Sequence, residues 1–275
     1  MGCTLVIDTS YGSTVGVAGH EPIVETDSRT HVERLQVNIA RAVKEAGCTP
    51  RDIDTVIVGT GPAPFTGLRA GIVAAKALAF ATGAELIGHN VLEPQVRWNL
   101  VRRGKAGTLG DPKTRHVLTL AVNDARRKQL YFALYASPLD AGAGDAGDDG
   151  NAKAVPRPLI AMDIDYPSSI ADRVNAAVHD YAATVDGETV VDVIGHGATK
   201  YADALHGIEC LSDVADASVL DQGRQGVDIF AADAALAHER DPQAPVEPLY
   251  LRRPDAEVPA PLKHVLGHEG AGRKA

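Results

Sequence analysis

The chain has 275 residues, enough for one large domain or for two lobes with cores of their own. It is 45% hydrophobic, 23% charged and only 4% aromatic, so Ala, Val, Leu and Ile must fill those cores. The formal net charge of -9 repels phosphate backbones, which weighs against a free chain that grips nucleic acid.

Leu5-Val6-Ile7 is a short apolar run that ends on Asp8-Thr9-Ser10, the pattern of a buried strand with polar groups at its carboxyl end. Tyr11-Gly12-Ser13 predicts a turn and Thr14–Ala18 a second strand, so the chain opens with a hairpin. A third strand is expected over Ile23–Ser28. A helix over His31–Ala46 follows from the spacing of Val32, Leu35, Ile39, Val43 and Ala46, with Gly47 as its stop. Thr55–Gly59 reads as a strand leading into the loop Gly61–Gly67, then a helix over Leu68–Thr82, a strand at Leu86–Gly88 and a helix over Val91–Arg103. Three meandering strands followed by alternating helices and strands are the order of a ribonuclease-H-like lobe.

The order then partly repeats. His116–Asn123 and Gln129–Ala136 predict strands around the polar turn Asp124–Lys128. Ser168–Thr184 predicts a helix, Thr189–Ile194 a strand and Thr199–Leu205 a short helix. Repetition of one unit predicts an α/β chain of two ribonuclease-H-like lobes, the actin and sugar-kinase architecture. The first lobe is expected over 1–104, the second over 105–218. A last helix near Val219–His238 should return to the first lobe within 219–253. Residues 139–158, rich in Gly, Ala and Asp, read as a flexible insertion, and 254–275 as a mobile tail.

Cys3, Cys48 and Cys210 form no C-x-x-C pair, which fits a reducing compartment and neither a zinc site nor a disulfide framework. Asp8 breaks the opening apolar run too early for a signal peptide, and no run reaches the ~18 apolar residues of a membrane span. A cytoplasmic protein without membrane contact is expected. The basic clusters Arg102-Arg103-Lys105, Arg126-Arg127-Lys128 and Arg252-Arg253 read first as solvated surface, though each could reach a phosphate.

Leu68–Ala81 holds only Arg69 and Lys76 as charged residues, too little polar surface for an ordinary amphipathic helix. It must be covered on more than one side. The second cover is either the His31 helix or another protein chain.

Evidence for chemistry is thin. Asp8-Thr9-Ser10 before a glycine turn resembles half of a phosphate loop, with Gly195-His196-Gly197-Ala198 as a candidate second half. Leu35 stands four residues after His31, so no metal-binding histidine pair forms there. His264 and His268 have that spacing, but ten histidines in this length can meet it by chance. No nucleophile elbow, Walker loop or Cys-His signature is present.

The string Gly61-Pro62-Ala63-Pro64-Phe65-Thr66-Gly67-Leu68-Arg69 resembles the G-P-G-S-F-T-G-[LIV]-R signature of the TsaB (YeaZ) family. Leu5–Ser10, His31 with Leu35, Asp124–Arg127 with Tyr131, and Pro248-x-Tyr250-Leu251-Arg252 match further family segments in order. The resemblance spans about residues 4–256. Ala63-Pro64 departs from the Gly-Ser of the signature; proline stiffens the loop and removes one N–H.

The resemblance implies a non-catalytic subunit that dimerises with TsaD, the enzyme forming N6-threonylcarbamoyladenosine at position 37 of tRNA. A TsaE-like ATPase completes that complex, and tRNA is met only through it. No cofactor, metal or catalytic residue is implied. The family's interface is a helical bundle of the first lobe, which maps onto Val32, Leu35, Ile39, Leu68, Ile72, Ala75 and Ala79. A homodimer of the lone chain would use the same patch. Asp8, Thr9 and Ser10 would be a vestigial phosphate loop. The competing readings are an ATP-dependent phosphotransferase of the sugar-kinase type, with Asp8 on its metal, and a metallopeptidase.

Overall fold

A computed structural model describes residues 2–26, 31–140 and 155–252. The first sheet is built from β1 (Cys3–Asp8), β2 (Ser13–Val17), β3 (Ile23–Glu25), β4 (Ile53–Gly59) and β5 (Glu85–His89), in the order β3-β2-β1-β4-β5. The second is built from β6 (Arg115–Asp124), β7 (Leu130–Ala136), β8 (Arg157–Asp165), β9 (Glu188–Gly195) and β10 (Leu211–Ala215), in the order β10-β9-β6-β7-β8. Read from the hairpin side, the two orders are the same. In each sheet the central strand pairs antiparallel with its hairpin partner and parallel with the strand after the crossover helix.

The apolar runs of β1 and β4 are continuous because both faces of the first sheet are covered. Leu5, Ile7, Val56 and Val58 point to α1 (His31–Glu45) and α2 (Phe65–Thr82). Val6, Ile57 and Ile87 point the other way, into a cluster with Trp98, Val227 and Phe230. The second sheet repeats the scheme. Leu118, Leu120, Phe132 and Leu134 pack with Ile170, Val174 and Val178 of α4 (Pro167–Ala182) and with Leu205 of α5 (Ala202–Leu205). Ala121, Ala133 and Tyr135 meet Leu92 and Val96.

The remaining helices are exchanged. α3 (Pro94–Ala106) follows the strands of the first lobe yet packs on β6 and β9 of the second sheet. α6 (Gly223–Arg240) follows the second lobe and packs on β5, β1 and β2 of the first. The two helices touch between the sheets, joined by the Arg97–Asp233 ion pair. On its other side α3 is locked to the second lobe. Asp192, fully buried, accepts from Arg103 Nε at 2.5 Å, Arg103 Nη2 at 2.6 Å and Asn99 Nδ2 at 2.9 Å.

Strands β8 and β10 were not expected from the sequence. β8 lies in and just beyond the stretch expected to be an insertion; most of that stretch, and the expected tail with His264 and His268, lie outside the described residues. Contrary to expectation, one described helix, α2, is long and apolar enough to cross a membrane by length and composition. Counting unbroken apolar residues missed it because Arg69 and Lys76 interrupt the run. Its inward face packs on β4 and α1.

Candidate functional site

The two lobes meet over the turn from β1 to β2. Ser10 donates from its backbone N–H to Asp8 Oδ2 at 3.1 Å and from its hydroxyl to Oδ1 at 2.7 Å. Thr9 Oγ1 donates to the Gly67 carbonyl at 2.8 Å, tying the turn to the start of α2. Two glycines permit this approach: a Cβ on Gly59 would sit 2.1 Å from Asp8 Oδ1, and one on Gly71 2.3 Å from Thr9 Oγ1. Asp8 is buried, and burial pushes its carboxyl above the ordinary range, against the opposing pull of the Ser10 hydrogen bonds and His196. The Asp8 carboxylate is thus engaged by its own turn.

Tyr11 reaches across and stacks on His196 of the second lobe, ring centroids 3.8 Å apart. His196 Nε2 lies 2.8 Å from Asp221 Oδ2. Burial raises the Asp221 carboxyl, but His196 and the Ser218 N–H outweigh it and hold the group below its ordinary value. Behind this stack, the void between Asp8, Asn123, Gln95 and Ser218 measures about 10 Å³, space for about one water and not for a nucleotide. Among the described residues, no three His, Cys, Asp or Glu side chains gather as a metal site.

The topology also corrects the expected second half of the phosphate loop. Gly195–Ala198 follows β9, which corresponds to β4, whereas the counterpart of the β1–β2 turn is the β6–β7 turn Ala125–Gln129. That turn carries Arg126, Arg127 and Lys128 in succession, all with positive φ (60°, 50° and 62°). Arg126 N–H donates to Asp124 Oδ1 at 2.8 Å, and Gln129 N–H donates to the Arg126 carbonyl at 3.0 Å. Between this turn, the β1–β2 turn and the N-terminus of α2 opens a cleft of about 850 Å³. Lys200 stands on its wall, 2.9 Å from Asp124 Oδ2; that hydrogen bond, with one to Tyr201, pushes the ammonium up to about 12.

Three sequence signatures converge beside the cleft. The Pro62 and Ala63 carbonyls of the signature loop accept from Asn123 Nδ2 at 3.1 Å and Tyr131 Oη at 3.3 Å. Phe65 stacks on Tyr250 at 4.4 Å, and Arg69 Nε donates to Tyr250 Oη at 2.6 Å. Leu249 N–H donates to the Thr60 carbonyl at 2.9 Å, and Arg252 reaches Gln129 of the basic turn at 2.8 Å. The loop, the D-A-R-R turn and the closing P-x-Y-L-R segment are therefore one contiguous structure. Pro64, the departure from the signature, takes the N-cap position of α2, where its missing N–H breaks no helical bond.

The seven residues expected at a partner interface lie elsewhere than the outer surface. Leu35, Ile39, Leu68, Ile72, Ala75 and Ala79 are all buried in the core of the first lobe. Val32 is half-buried and lines the 850 Å³ cleft. The outward face of the same two helices is made by other residues. On α2, Val73 is 65% and Phe80 92% exposed, with exposed Ala77 between them; on α1, Val37 is exposed. A run in which nearly every position is apolar gives no phase from which to separate the two faces.

The chain matches the family model described as TsaD, tRNA N6-adenosine threonylcarbamoyltransferase, over residues 22–259. An uncharacterized protein of Mycobacterium tuberculosis strain H37Rv is 30% identical over 260 residues, 92% of this chain and 93% of that protein. A tRNA N6-adenosine threonylcarbamoyltransferase of Cereibacter sphaeroides strain KD131 is 41% identical over 70 residues, 26% of this chain and 19% of the enzyme. The fold is that of YeaZ from Pseudomonas aeruginosa, with a TM-score of 0.60 at 19% identity over 91% of this chain and 100% of that one. The chain belongs to the TsaD, or tRNA N6-adenosine threonylcarbamoyltransferase, family, and it shares its fold with YeaZ.

Proposed function

We propose that this chain is the non-catalytic partner subunit of the complex that forms N6-threonylcarbamoyladenosine at position 37 of tRNA. It pairs with a TsaD-like catalytic subunit and holds it in an active conformation. A TsaE-like ATPase joins the assembled complex, which works in the cytoplasm. The observation that carries this reading is the outward face of α2. Phe80 and Val73 stand in solvent two turns apart on a helix whose inward face is already satisfied by its own lobe. Covering these two side chains is worth roughly 1.5–3 kcal/mol each. Without the partner, the same stripe is available for pairing with a second copy. A supporting role for the chain also fits the engaged Asp8 carboxylate and Leu35 at the place of a second metal histidine.

The test is co-purification with the TsaD-like protein of the same organism, followed by a tRNA modification assay with and without this chain. A stable complex whose activity needs the chain is expected. Phe80→Asp together with Val73→Asp should abolish pairing and activity while the chain stays folded. An intact, active complex containing that double variant overturns the interface.

A further inference from the structure

Cys3 and Cys48 are far apart in the chain and side by side in the fold. Cys3 opens β1, the central strand of the first sheet, and is 3% exposed within the core of that lobe. Cys48 comes just after α1. Gly47 turns the chain there with a φ of 72°, and the Cys48 N–H donates to the Val43 carbonyl at 3.0 Å, closing the helix in a Schellman turn. The residue after the glycine of such a turn commonly packs back on the protein, and Cys48 packs on the core cluster that holds Cys3. The loop then enters β4 at Ile53, which is in register with Cys3. The pair therefore sits where α1, β1 and β4 meet.

The two thiols are not equivalent. Burial, and then the Cys48 thiol beside it, push the Cys3 thiol up to about 12, and the Asp54 and Asp52 charges act in the same direction. Cys3 is thus a buried, protonated thiol at neutral pH. Cys48 is half-buried and lies at a helix end between exposed Gly47 and Thr49; its sulfur makes a long contact of 3.8 Å to the Ala46 carbonyl. A single buried thiol is ordinary core filling. A half-buried cysteine with a buried one against it is the arrangement of an attacking and a resolving thiol. Cys210 packs on the core of the second lobe, away from the pair.

We propose that Cys3 and Cys48 are a reversible redox pair, two thiols in a reducing cell and one disulfide under peroxide load. The Asp54 and Asp52 carboxylates disfavour an anionic oxidant such as glutathione disulfide, whereas hydrogen peroxide is small and neutral. The Cys48 sulfur attacks the peroxide; the O–O bond breaks, leaving a sulfenic acid and one water. The Cys3 sulfur then attacks the sulfenic sulfur; the S–O bond breaks, and the hydroxyl leaves with the Cys3 proton as a second water. Two thiols are oxidised to one disulfide, and one peroxide is reduced to two waters. Two equivalents of a small thiol reverse the step and end as their own disulfide. The bond fastens the end of α1 to the head of β1 and stabilises the first lobe by constraining the unfolded chain. The inference does not rest on pairing through α2.

The experiment treats the reduced, folded full chain with a small excess of hydrogen peroxide, caps the remaining thiols with N-ethylmaleimide in denaturant and reads the product by mass spectrometry. The wild-type chain should keep one thiol for capping, that of Cys210, and give a peptide pair linked through Cys3 and Cys48. Its melting temperature should rise by about 5 °C or more and return with dithiothreitol. Cys48→Ser should give neither the linked peptides nor the rise. Cys3→Ala should stop the reaction at Cys48, as a sulfenic acid trapped by dimedone, and Cys210→Ser should cross-link like the wild type. The proposal is overturned if all three thiols are still capped after peroxide, if cysteines are oxidised singly without a link, or if links run through Cys210 or between chains in place of Cys3–Cys48. It is equally overturned by a linked chain that melts at or below the temperature of the reduced one.

Discussion

In the first lobe the helix after the crossover strand, α2, runs for 18 residues; in the second its counterpart, α5, has 4. The outward face of α2 shows Val73, Ala77 and Phe80, whereas that of α4, the long helix of the second lobe, shows Asp172, His179 and Asp180. The sheets themselves are nearly superimposable in order and pairing. Sheet pairing is fixed by backbone hydrogen bonds and by a core that needs both faces covered, so it tolerates little drift. The outer helical layer is free to diverge, and it has diverged toward an apolar surface on one lobe only.

Several substitutions break or sharpen this contrast. Ile72→Asp puts a carboxylate into the core beneath α2 and should cost about 4 kcal/mol or more, read by urea denaturation. A wild-type midpoint would mean that α2 has no true inner face. Asp192→Ala strands the buried Arg103 guanidinium between α3 and the second sheet and should cost about 3–5 kcal/mol. A loss below 1 kcal/mol would show that the helix exchange is held by apolar contact alone.

His89, at the end of β5, tests the first lobe by pH. Burial and then the Arg240 charge push its imidazole down from 6.5 to about 4. The neutral ring is favoured in the folded chain, so its contribution is complete above pH 6.5 and is lost as pH falls toward 4. The loss should be roughly 3 kcal/mol over that window and should be absent in His89→Leu. Arg126→Gly is a smaller effect of opposite sign, a gain of about 0.5–1 kcal/mol from a relaxed turn. Phe80→Asp should change stability by no more than about 0.5 kcal/mol, because the side chain touches water and not the core. The pair Ile72→Asp and Phe80→Asp therefore separates the two faces of one helix.

Most strands and helices were legible in the sequence because buried strands read as apolar runs and α1 has a 3.6-residue period. β8 was missed because Pro158 breaks its run and the acidic segment before it dominates the composition. The inner and outer faces of α2 could not be told apart, since Ile72 and Val73 are chemically alike and only packing distinguishes them. The aromatic contact of Tyr11 with His196 joins residues 185 positions apart, and nothing local announces it. The basic turn was visible as a charge cluster, but its position as the counterpart of the β1–β2 turn requires the strand order of the second sheet.

The exchange of α3 and α6 also governs how the molecule can be made. As the chain leaves the ribosome, the first sheet is complete by His89, yet the helix that shields its rear face begins only at Gly223. Val6, Ile57 and Ile87 must wait, bare or borrowed by a chaperone, until nearly the whole protein has been translated. The second lobe, with α3 at its head, is one continuous stretch of chain, but no single cut can release the first sheet together with α6, so the first lobe alone has no complete core to fold around.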